Sequence, residues 1–118
     1  MTKRILLIDD LRDFRDNRSC VVARTSQAAL DILERGDSFD EIWLDHDLGK
    51  LPDGTLDTIM RVVDFFAERG FFENHYPVET IYVHTSNPVG SQQMIASLQN
   101  YGYEVRRVKA PEFFITES

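Results

Sequence analysis

Residues 41–49 read Glu-Ile-Trp-Leu-Asp-His-Asp-Leu-Gly. An apolar run passes straight into two carboxylates and an imidazole, Asp45, His46 and Asp47. A continuous apolar run this short is the mark of a strand buried on both faces, as in a parallel sheet. Charges that close such a run then fall at the rim of the sheet. The pattern recurs along the chain. Ile5–Ile8 ends at Asp9-Asp10, Thr80–Val83 ends at His84-Thr85-Ser86, and Tyr103–Val108 ends at Lys109. A shorter run, Cys20–Ala23, leads to Arg24.

Between these runs the apolar spacing turns helical. Ser26 is placed to cap a helix over 27–35, with Ala29, Leu30 and Leu33 on one face and Gly36 as the stop. Leu51–Gly54 reads as a turn. From about Thr55 to Arg69, the residues Leu56, Ile59, Met60, Val63 and Phe66 recur at helical spacing, and Gly70 closes the pattern. Asn87-Pro88 supplies an N-cap followed by proline in the first turn of a third helix, which runs through Met94, Ile95 and Leu98 to Gly102. Residues 11–19 are polar and hold at most a turn or two of helix. The last nine residues are too few for a helix of ordinary length.

Strands alternating with amphipathic helices predict an α/β fold with a five-stranded parallel sheet in one domain spanning 1–118. In such sheets the site lies beyond the carboxyl ends of the strands. Asp9-Asp10, Asp45-His46-Asp47, His84-Thr85-Ser86 and Lys109 all sit at such ends and are expected to converge there.

Composition narrows the partners. The formal net charge is −7, which disfavours non-specific binding to duplex DNA but not a small anion, because a bound cation inverts the local field. One cysteine, Cys20, excludes an intramolecular disulfide and suits a reducing cytoplasm. No apolar run is long enough for a membrane helix, and the short apolar run after Lys3-Arg4 ends in two acids, unlike a signal peptide.

The acid pair Asp9-Asp10, the "FDEIWLD" strand ending at Asp45, the hydroxyl of Thr85 and the lysine Lys109 together resemble a receiver domain of the response-regulator type. That resemblance implies the flavodoxin-like strand order 2-1-3-4-5, a magnesium site at the acids and a phosphoaccepting Asp45. An alternative register places Asp47 in the acceptor position. Several features depart from ordinary receivers: Lys109-Ala110-Pro111 in place of Lys-Pro, a displaced Pro52 and Gly54, a shortened first helix, a missing last helix, and the histidines His46 and His84. With "LDHDLG", "VART" and "HTSNP", they resemble a narrower branch, the cyclic-phosphate-processing receiver-like proteins of bacteria and their phages. The resemblance implies action on cyclic nucleotides or on RNA ends carrying 2′,3′-cyclic phosphates, in a bacterial or phage-infected cytoplasm.

The chemistry of these residue types fits that role. Asp9, Asp10 and Asp45, with Asp47, can hold Mg²⁺ or Mn²⁺ through oxygen. His46 and His84 are the candidate acid and base. Lys109 and Arg24 offer positive charge to phosphoryl oxygens, with Thr85, Ser86 and Asn87 at the helix start as further phosphate ligands. Each has a plainer alternative: a solvated turn for the acid pair, a core position for His84, a surface ion pair for Arg24, and a ring in solvent for His46. Three readings follow: a metal-dependent phosphoesterase, a stand-alone phosphoacceptor, and a non-catalytic nucleotide binder. Finally, a shortened first helix and a missing last helix leave one face of the sheet to be covered by the Phe113-Phe114 tail, a second copy or another protein; a homodimer through that face is the expectation.

Overall fold

The computed structural model describes residues 3–84 and 88–115. Its sheet runs β2 (Val21–Ala23), β1 (Ile5–Ile8), β3 (Glu41–Leu44), β6 (Thr80–Val83) and β7 (Val105–Arg107), all neighbours parallel. The fourth and fifth strands expected from the sequence are thus β6 and β7. The numbering shifts because two more strands intervene, β4 (Asp47–Lys50) and β5 (Leu56–Thr58), paired as an antiparallel hairpin outside the main sheet.

That hairpin is where helical periodicity misled. Leu51–Gly54 does form its turn: Gly54 adopts φ +89, and Asp53 accepts from the Thr55 N–H and hydroxyl at 3.0 and 2.7 Å. Leu56 extends from β5 into solvent, 72% exposed, and is not a helix face. The helix α2 begins only at Met60 and ends at Phe71. Asp57, on β5, is buried and accepts from Ser26 N–H and Oγ at 3.0 and 2.6 Å. Ser26 is therefore an internal anchor. The cap of α1 (Ser26–Glu34) is Thr25, whose hydroxyl accepts from Ala28 N–H at 3.0 Å.

Strand alternation sorts the core into two layers. Leu6, Ile8, Ile42, Leu44, Ile81 and Val83 face α1, α2 and α3 (Pro88–Asn100), meeting Leu33, Phe66, Met94 and Leu98 in one buried cluster. Ile5, Leu7 and Trp43 face the other way. No helix of ordinary length covers them. The segment after β1 contains no helix, and among the described residues a single turn, α4 (Ala110–Phe113), follows β7. The cover comes from Phe14 and Phe114, both buried, which join Trp43 and Ala110 in a second cluster. Phe14 stacks on Phe114 at 4.8 Å between ring centroids and meets Trp43 edge-on at 5.0 Å. Backbone bonds tie the two segments: Arg15 N–H to Phe113 carbonyl at 2.9 Å and Ile115 N–H to Asp13 carbonyl at 3.1 Å. Phe14 and the tail residue Phe114 thus pack over Ile5, Leu7 and Trp43 on this face.

Candidate functional site

Sheet register builds the site. The rung Ile8, Leu44, Val83 crosses β1, β3 and β6. One residue further on, each strand ends in an ionisable group: Asp9, Asp45 and His84. All three belong to the alternation that faces the aromatic tail, and all three are buried. Each offers a ligand atom, and these atoms lie within 4.8 Å of one another.

Asp9 is held from several sides. Its Oδ1 accepts the N–H groups of Leu11 and Arg12 at 2.9 and 2.8 Å, a turn closed by the side chain itself. Its Oδ2 lies 3.0 Å from His84 Nε2. Burial pushes the Asp9 carboxyl up, but the bonds from His84, Arg12 and Leu11 outweigh it and hold Asp9 below the ordinary carboxylate range. His84 is wholly enclosed, with Phe114 against its ring at 4.4 Å, and its Nδ1 has no hydrogen-bond partner among the described residues. A proton on Nε2, donated to Asp9, leaves only a lone pair at the unpartnered nitrogen; that tautomer is the one the bonding pattern assigns. Asp45 donates its N–H to the Ile8 carbonyl at 3.1 Å, which fixes it beside Asp9.

The next residues along, Asp10 and His46, have the opposite alternation and lean toward the helices. Asp10 is half-buried; burial first, and then the neighbouring Asp9 charge, raise its pKa. It lies against Gly49, which has φ +82, and a Cβ there would stand 3.4 Å from Asp10 Oδ2. His46 lies on the first turn of α3: a Cβ at Gly90 would fall 2.5 Å from its Cδ2. Its Nδ1 is 3.0 Å from Asp47 Oδ1.

The expected residues therefore divide. Asp9 and Asp45 share the buried cluster, and His84 joins them there. A side chain sealed from water is poorly placed to exchange protons with solvent, so His84 fits the ligand set better than the acid–base pair. Asp10 borders the cluster. Asp47 stands outside it as the partner of His46, and its side chain is 66% exposed. Arg24 is a clamp: its Nη1 donates to the carbonyls of Arg12 and Asp9 at 2.8 and 3.3 Å, and its Nη2 to Asp13 at 2.8 Å. Lys109 is exposed at the start of α4 and makes no ion pair among the described residues. Thr85, Ser86 and Asn87 lie outside the described residues. Sequence reasoning passed over Arg12, Gly90 and Asp57. Arg12 falls three residues after an aspartate that closes a strand, a spacing suited to a side-chain turn; Gly90 and Asp57 carried no local signal.

Residues 4–100 match the family described as the cyclic-phosphate processing receiver domain. The chain belongs to that family. No curated protein matches the chain. A solved structure of a yeast Spc42 trimeric coiled-coil segment fused to another structure is 23% identical, with a TM-score of 0.48. The alignment covers 87% of this chain and 64% of that one. No described helix is long and apolar enough to cross a membrane.

The cluster fits a divalent cation. Two carboxylates and an imidazole converge from three strands, a third carboxylate, Asp10, borders them, and Gly49 keeps a side chain away from Asp10. Carboxylate oxygens suit Mg²⁺ or Mn²⁺, and an imidazole nitrogen among them favours the softer ion.

Proposed function

We propose that this receiver domain processes cyclic phosphates as a metal-dependent phosphoesterase, taking cyclic nucleotides or RNA ends with 2′,3′-cyclic phosphates. The observation that carries the reading is the buried rung of Asp9, Asp45 and His84 at the strand ends of a chain in the cyclic-phosphate processing family. A divalent ion bound there would supply charge neutralisation for the phosphodiester and a more acidic water. Asp9 and Asp45 would hold it, with His84 either as a third ligand or as the donor that fixes Asp9.

The protein's own groups account for the remaining needs. His46 is the imidazole nearer to solvent, and Asp47 on its Nδ1 selects the tautomer and orients the ring, as a carboxylate partner does for a general base. Gly90, with no side chain, lets the ring lie on the opening turn of α3. Lys109 adds a cation beyond β7. The formal net charge of −7 favours a mononucleotide-sized ligand over long RNA.

The test is a panel of 2′,3′- and 3′,5′-cyclic nucleotides and cyclic-phosphate-ended oligonucleotides, with Mg²⁺ or Mn²⁺ and with chelator. Metal-dependent ring opening, lost in Asp45→Asn and His46→Ala, supports the reading. Tight binding with no product replaces it with a nucleotide-sequestering role. A beryllofluoride adduct that depends on Asp45, without turnover of any cyclic phosphate, replaces it with a phosphoacceptor role.

A further inference from the structure

The site gathers carboxylates but lacks an identified cation close to them for the phosphoryl group. Arg24 was the candidate from sequence, and its guanidinium is committed to Asp13 and to two backbone carbonyls. Those same bonds point to another residue. Arg24 grips the carbonyl of Arg12 at 2.8 Å, while Asp9 Oδ1 grips the N–H of Arg12 at 2.8 Å. The backbone of Arg12 is therefore fixed on both sides by charged groups, one of them a carboxylate of the cluster.

The side chain of Arg12 is not so engaged. It is half-buried, and among the described residues it forms no ion pair and its enclosed Nη1 has no hydrogen-bond partner. A guanidinium carries five N–H donors, and leaving an enclosed one unpaired is costly. Nearby acids do not supply the partner. Asp13 is taken by Arg24, and Asp9 by Leu11, Arg12 N–H and His84. Asp10 feels the Arg12 charge without bonding to its guanidinium.

We propose that Arg12 is the phosphoryl-binding cation of the site, donating to the non-bridging oxygens of a phosphate monoester or diester, with Arg24 and Asp9 as the residues that position it. This rests on the cyclic-phosphate reading for the identity of the full ligand, but not for the phosphoryl group itself. Planar, forked donors match phosphate oxygens in pairs, which an ammonium does not. A loop fixed beforehand also spares the ordering cost of binding.

The experiment is isothermal titration of the Mn²⁺-loaded protein with inorganic phosphate and, separately, with 2′,3′-cyclic AMP. Arg12→Gln is expected to weaken phosphate binding at least tenfold and Arg12→Lys by less, while Mn²⁺ affinity holds or rises because a cation beside the carboxylates is gone. Loss of Mn²⁺ binding in Arg12→Gln together with loss of phosphate binding would mark a folding role and overturn the proposal, unless Arg12→Lys keeps Mn²⁺ affinity and still loses phosphate, which sustains it. Unchanged phosphate affinity in Arg12→Gln overturns it. If the wild type binds phosphate through Arg12 but neither binds nor opens the cyclic nucleotide, the assignment of Arg12 stands and the cyclic-phosphate reading fails. Binding of neither probe by the wild type overturns both.

Discussion

Replacing Phe114 with alanine tests how the fold supports the site. Phe114 is 1% exposed. Its ring contacts Phe14 at 4.8 Å, Trp43 at 5.7 Å and His84 at 4.4 Å. Truncating a buried phenylalanine costs about 3–5 kcal/mol. Phe114 is paired to Phe14 by an isolated bridge and not by a regular strand ladder, so the gap can partly relax and the lower figure, about 3 kcal/mol, is the appropriate one. For this length the unfolding entropy is about 0.25 kcal/mol/K, so Phe114→Ala should lower Tm by about 12 °C. Urea melts followed by circular dichroism should show a lower midpoint with an unchanged slope. Because the ring also backs His84, the variant should bind divalent cations more weakly than its stability loss alone explains. A cost below about 1 kcal/mol, outside the range for a buried ring, would refute the tail as the cover of this face. The cover would then have to come from a second copy, and light scattering of the wild type should show a dimer.

Other outcomes follow from the carboxylates and the close glycine contact. Asp9 titrates below its ordinary range, so its stabilisation is complete above about pH 4, the unfolded carboxyl value; it is lost as pH falls through the still lower folded value. Asp9→Asn should therefore flatten the acid limb of a pH–stability profile. Asp10 has the opposite sign: its pKa is raised, so the ionised form is a burden at neutral pH that eases as pH falls through its folded value. Asp10→Asn should stabilise the metal-free protein by about 0.5 kcal/mol, the scale of one partly exposed charge interaction, and should weaken cation binding; a lower Tm in chelator would contradict this. Gly90→Ala would place a methyl 2.5 Å from His46 Cδ2, so the ring must move. The His46 imidazole resonances should shift, and any turnover should fall through kcat more than KM.

The sequence made the sheet legible because each core strand is a short apolar run ending in a charge. Register then did the rest. Asp9, Asp45 and His84 share a rung that sequence spacing alone does not reveal, since the rung depends on which residues of β1, β3 and β6 pair. The same alternation separates Asp45 from His46, as period-two geometry requires. The β4–β5 hairpin was not legible: Leu56, Ile59, Met60 and Val63 mimic a helix face, and only the buried Asp57 bond to Ser26 shows why residues 56–58 stay extended. Arg24 read as a ligand because it follows a strand, yet it spends its donors on carbonyls of the loop after β1. That outcome depends on tertiary contacts, as does the enclosure of the Arg12 Nη1. The aromatic tail was legible as a cover, but its partner Phe14, in a polar stretch, was not.

The most direct measurement is a Mn²⁺ titration followed by electron paramagnetic resonance on the wild type, Asp9→Asn and Asp45→Asn. One tightly held ion per chain in the wild type, lost in both variants while their circular dichroism is kept, is the expected result. Equal Mn²⁺ uptake by all three proteins would mean that the buried rung is not a cation site, and the proposed chemistry would lose its basis.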